Sequence, residues 1–126
     1  MEYLSYERVK SRFLSVTGMP AERLAEGSIF DNAEQFVISH LTVSPETLSE
    51  EQLKLCEYAA AAVAVYDHSM TLCLTERPVM SESGSVNIQR EKQDIIAAAA
   101  QLRREAFGQL TAAGLAAPLD FAFVGV

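Results

Sequence analysis

The chain has 126 residues, 49% of them hydrophobic and 21% charged, with a formal net charge of -7 and a pI near 4.7. That is one domain's length of chain, apolar enough to build its own core and too apolar to stay disordered. The acidic balance argues against tight sequence-independent binding to DNA or RNA, which needs a basic surface to displace counterions, although an acidic wall lets nucleic acid pass without sticking.

In chain order, Ser5 is placed as an N-cap, with Leu4 and Val9 as a hydrophobic staple around it. Val9, Phe13 and Val16 then recur at helical spacing until Gly18 and Pro20 stop the helix. Residues 20–26 suit one more helical turn ended by Gly27. Asp31 and Asn32 are candidate caps for a second helix carrying Phe30, Ala33, Val37 and Leu41 on one face, with His40 in its last turn. A polar connector, residues 42–47, follows. The N-terminal residues show neither a charged-then-apolar leader pattern nor a lipidation motif, so a cytosolic protein, or one in a particle assembled in the cytosol, is expected.

Residues 49–74, SEEQLKLCEYAAAAVAVYDHSMTLCL, organise the rest. Ser49 with Gln52 forms a capping box and Leu48 with Leu53 a staple, so the start is doubly marked. The helix would run roughly 39 Å. Its alanine-rich middle is apolar almost all round, the pattern of a helix buried on several sides by closely approaching neighbours. Glu57 and Asp67 interrupt the apolar run, which rules out a membrane span. Cys56 and Cys73 lie about 25 Å apart on this helix and cannot pair with each other.

Beyond Leu74 the chain becomes serine-rich, with Pro78 and Gly84, and reads as a long loop or small β-hairpin: Val79, Met80, Ser81, Glu82, Ser83, Gly84, Ser85 and Val86 form the protruding part. A second long helix is expected from about Gln89 to Ala113, with Ile95, Ala99, Leu102, Ala106 and Leu110 on one face and Gly114 and Leu115 as a Schellman exit. The fold expected is therefore all-α, a small helical bundle around two long antiparallel helices. Residues 1–115 make the helical domain and residues 116–126 an extended apolar C-terminal tail. In that tail Leu119, Phe121 and Phe123 share one edge of an extended segment, followed by Val124 and Val126, which can add to another protein's surface or fold back on its own helices.

Catalytic signatures are lacking: there is no Gly-rich phosphate loop, no H-E-x-x-H, no C-x-x-C and no G-x-S-x-G. His40 and His68 with Cys56 or Cys73 are a candidate zinc set, and a small enzyme using His68 and Cys56 is a third reading; the expectation is a non-enzyme without metal or cofactor. Glu50 and Glu51 are accounted for by the dipole of the helix they open. Charge is uneven along the chain. Up to Glu76 there are 12 acids against 5 bases, and from Arg77 onward five of each. An acidic surface and one carrying Arg90, Lys92, Arg103 and Arg104 can meet head-to-tail between copies, and ordinary solvated faces give the same pattern.

The order of parts resembles the head–tail connector proteins of long-tailed phages, also called head-completion or adaptor proteins. The parts are a short capped helix (ERVKSRFLSV), a helix ending in FVISHL, a proline-containing connector, an alanine-rich long helix with a YDHSM tail, the SESGSVNI excursion, a further helix and a Gly-Leu exit. Resemblance implies a structural subunit that forms a ring of about twelve copies below the portal at the capsid vertex. Such a ring serves as part of the DNA conduit, without specific DNA binding and without contact to a membrane. It would sit in the virion at the head–tail interface, assembled in the bacterial cytoplasm, between the portal protein and a tail-side completion protein, and the isolated subunit can be monomeric. Carried onto this chain, the tail residues Leu119, Phe121, Phe123, Val124 and Val126 would contact the portal, and residues 79–88 would protrude. The family's pattern has aromatic and arginine residues after the Gly-Leu exit, where this chain has PLDFAFVGV. The alternative is a small helical regulatory or antitoxin-like protein whose apolar tail binds one soluble protein partner.

Overall fold

The computed structural model describes residues 1–24, 28–75 and 82–118. Four helices and no strand occur among them: α1 (Tyr6–Thr17), α2 (Ile29–His40), α3 (Glu50–Thr75) and α4 (Glu82–Ala112), with single 3₁₀ turns at Ala21–Arg23 and Pro45–Thr47. The all-α class expected from the sequence is what the structure has.

Each helix end has a local cause. Ser5 Oγ accepts from Arg8 N–H at 3.3 Å to open α1, and Gly18, at φ 68°, closes it by donating to the Leu14 carbonyl. At the start of α3 the capping box is reciprocal: Gln52 N–H donates to Ser49 Oγ at 3.2 Å and Ser49 N–H to Gln52 Oε1 at 2.9 Å. α4 ends in a full Schellman motif, Leu115 N–H to the Leu110 carbonyl and Gly114 N–H to that of Thr111, with Gly114 at φ 76°. The second helix corrects the expectation. Its N-cap is Ser28, and Asp31 stands inside the first turn, where its charge still favours the helix dipole.

The larger correction concerns the excursion. Glu82, Ser83, Gly84, Ser85 and Val86, read as loop or hairpin, are the first residues of α4, which therefore starts about two turns earlier than the apolar spacing suggested. Serine is only mildly unfavourable in a helix and one glycine costs about 1 kcal/mol relative to alanine, a penalty that a 31-residue helix absorbs. Val79, Met80 and Ser81 lie outside the described residues.

α3 is the axis of the domain. Cys56 and the whole run Ala59, Ala60, Ala61, Ala62, Val63, Ala64 and Val65 are buried. The other helices pack round it. Tyr6 and Phe13 of α1 meet Phe30 of α2 edge-on at 5.5 and 5.4 Å, and Phe36 of α2 meets Phe107 of α4 at 5.6 Å. α4 runs antiparallel to α3, since Lys92 reaches the Cys73 carbonyl and Arg103 lies over Tyr66. After α4, Ala116 pairs antiparallel with Leu41, and Thr42 donates to the Leu115 carbonyl through both its N–H (2.8 Å) and its hydroxyl (3.2 Å). The start of the expected extended tail is thus docked, with Ala116 buried and paired with Leu41 at the end of α2. No helix among the described residues is long and apolar enough to cross a membrane.

Candidate interaction groove

Among the described residues, three helices around one leave a face of α3 open. α1 touches α2, α2 touches α4, and the circle stays open between α4 and α1. The gap is a groove with two lobes of about 230 and 440 Å³, joined where Val16 and Leu102 border both. Its floor is one face of α3, with Tyr58, Ala61, Ala62, Val65, Ser69 and Leu72 at three- and four-residue steps. Small floor residues make it deep, while Val16 and Met19 from the α1 side and Ile95 and Leu102 from α4 form apolar walls. At one end Arg12 lies over the Tyr58 ring, 4.9 Å from its centroid.

Ile95, expected on the apolar face of the second long helix, is 52% exposed on the groove wall. Phe107, which the sequence reading passed over, is 2% exposed and carries the α2–α4 contact in its place. The signal was available: Phe107 stands eight residues from Ala99 and three from Leu110.

The residues singled out for chemistry do not converge. His68 and Cys56 are twelve residues apart on one straight helix, about 18 Å, so they cannot act together. His68 instead packs its ring on Phe13 at 5.5 Å, where burial lowers its basicity. His40 lies tilted against Phe36 and edge-on to Phe107, its Nδ1 2.7 Å from the Phe36 carbonyl oxygen and so carrying the hydrogen there. Among the described residues no group of three or more His, Cys, Asp or Glu side chains stands ready to hold a metal ion. Of the basic side chains expected between subunits, Lys92 Nζ donates to the Cys73 carbonyl at 3.4 Å, and the Arg103 guanidinium stacks 3.8 Å over Tyr66. Arg104 is exposed and donates to Gln101 of its own helix, and Arg90 belongs to α4. Leu119, Phe121, Phe123, Val124 and Val126 lie outside the described residues.

Two buried carboxylates were missed by sequence reading. Glu34, 1% exposed on α2, accepts the backbone N–H groups of Glu2, Tyr3 and Leu4 at 2.8–3.1 Å. Glu57, 3% exposed on α3, accepts from Ser5 N–H at 2.7 Å and from the Arg8 guanidinium at 2.7 and 3.1 Å. Together they clamp the segment before α1 onto the bundle, which fixes the α1 wall of the groove. Comparison of the chain with protein-family models, with curated proteins and with solved structures found no match.

Proposed function

We propose that the chain is a structural assembly subunit of the phage head–tail connector class, forming a ring between portal and tail-side completion protein through which DNA passes unbound. The observation that carries this reading is the open groove: a helical body that leaves on one side a groove with one apolar lobe and one bordered by Arg12, Glu105 and Gln109 suits another protein chain. The helix order that resembles connector proteins supports it, as does the net charge of -7, which suits a conduit wall that DNA must slide past. The part requires no chemical step, and we assign it none. It would act in the virion, after assembly in the bacterial cytoplasm.

Co-expression with the portal protein of its own genome, followed by affinity capture and negative-stain imaging, tests the reading. Rings of the chain stacked on the portal are expected. A stoichiometric heterodimer with a soluble protein, and no portal binding, would replace this function with the regulatory one, which the same groove would also serve.

A further inference from the structure

We infer that the apolar lobe of the groove, over Val65, Ser69 and Leu72, is a binding site for a neutral small molecule that is mostly apolar and carries one hydrogen-bonding oxygen. The lobe holds about 440 Å³, inside the roughly 300–1,000 Å³ of ordinary ligand sites. Its lining is mainly aliphatic, as theirs is, with a few polar groups among the apolar ones.

Ser69 is the residue that points to a ligand. It is 7% exposed on the floor of the lobe, and its hydroxyl makes no hydrogen bond among the described residues. Thr17 and Thr71 show what a helical hydroxyl ordinarily does: each turns back to the carbonyl four residues earlier, on Phe13 and on Asp67. Ser69 does not. A buried hydroxyl without a partner costs free energy, so its place on an apolar floor calls for a polar atom that arrives from outside.

Charge narrows the ligand. No side chain lining the lobe is a carboxylate, an ammonium or a guanidinium, and burial holds His68, its one titratable group, towards the neutral form. An ion entering would shed its water and find nothing to pair with. A polypeptide is disfavoured on similar grounds, because each residue brings an N–H and a carbonyl to walls that offer little beyond the Ser69 hydroxyl and the His68 ring. The Thr17 hydroxyl is already engaged, donating to the Phe13 carbonyl and accepting from Met19 N–H. A protein chain is better met at the other lobe, where Arg12, Glu105 and Gln109 stand. The inference goes beyond the proposed function and holds whatever the chain assembles with.

Titration of the full chain with 2-naphthol, naphthalene and 2-naphthoate, read from the methyl NMR shifts of Val65, Leu72 and Ile95, tests it. 2-Naphthol should saturate those shifts about fivefold more tightly than naphthalene, the worth of one hydrogen bond, and at least about tenfold more tightly than the charged 2-naphthoate. Ser69→Ala should erase the preference for 2-naphthol over naphthalene and leave the melting temperature no lower, because the hydroxyl has no bond in the fold to lose. Ala98→Trp, at an exposed position of α4 that lines the lobe, should close the site to all three probes, with circular dichroism verifying that the variant folds. The inference is overturned if no probe saturates, if folded Ala98→Trp still binds, if 2-naphthoate binds as 2-naphthol does, or if Ser69→Ala keeps the preference or loses stability. Portal capture alongside any of those results would leave the proposed function standing without this site.

Discussion

Arg8 and Glu57 form a fork across the α1–α3 boundary, Nε to Oε1 at 2.7 Å and the terminal nitrogen to Oε2 at 3.1 Å, with the two partners in unequal surroundings. The Arg8 side chain is 50% exposed, whereas that of Glu57 is 4% exposed. Removing the cation leaves a buried charge whose remaining donor among the described residues is Ser5 N–H. Neutralising the carboxylate leaves an arginine that turns to water and an amide oxygen that still accepts. Arg8→Ala should therefore lower the melting temperature more than Glu57→Gln, followed by circular dichroism. The reverse order would mean that the pair does not anchor α1 in this way.

Glu34 stabilises backbone rather than side chain. Its two oxygens satisfy three consecutive N–H groups ahead of α1, at Glu2, Tyr3 and Leu4. Glu34→Ala strands them and should cost about 1–3 kcal/mol in urea unfolding. Hydrogen exchange should localise the damage, with Tyr3 and Leu4 losing protection while the buried middle of α3 keeps its own. Uniform loss across both would point to a packing defect instead.

Much of this architecture could be read from local grammar. Ser5, Ser49 with Gln52, and Gly114 with Leu115 announce their helix ends because capping involves residues within one turn, where sequence and geometry coincide. Harder features depend on distant partners. Glu34 and Glu57 look like surface acids until residues 30 and 52 positions away bring their donors. Ile95 satisfies the helical spacing and yet lines an open groove, because periodicity names the apolar face of α4 but not whether a neighbour covers it. The serine-glycine stretch from Glu82 was misread for a different reason: low propensity is a weak prior, overridden by continuity with a long helix.

Gly108 inside α4 and Gly114 just past its end should respond with opposite sign. Gly114 sits at φ 76° in the helix exit, where a Cβ meets no neighbour but the backbone itself is strained for any other residue. Gly114→Ala should cost about 1–2 kcal/mol. Gly108 is helical and exposed, with open space beside it, so Gly108→Ala should add about 1 kcal/mol through helix propensity and a less flexible unfolded chain. Chemical denaturation of the two single variants checks both signs against each other.

The cysteines should separate by burial. Cys56 is fully buried on α3, and that burial, with a smaller contribution from Glu57, pushes its thiol up to about 11, whereas Cys73 is half-buried. The unfolded chain ionises this thiol first as pH rises. Between the ordinary thiol range and about pH 11 it therefore holds fewer protons than the folded chain, and stability falls with rising pH through that window. Below the window the thiol is neutral in both states and contributes no pH dependence. In thiol-reagent kinetics on the native protein at about pH 8, Cys73 should react first and Cys56 only at the rate of opening. Cys56→Ser should abolish the slow phase and flatten the alkaline decline of the urea midpoint. Two thiols reacting together in the native chain would show that the middle of α3 is not enclosed as described.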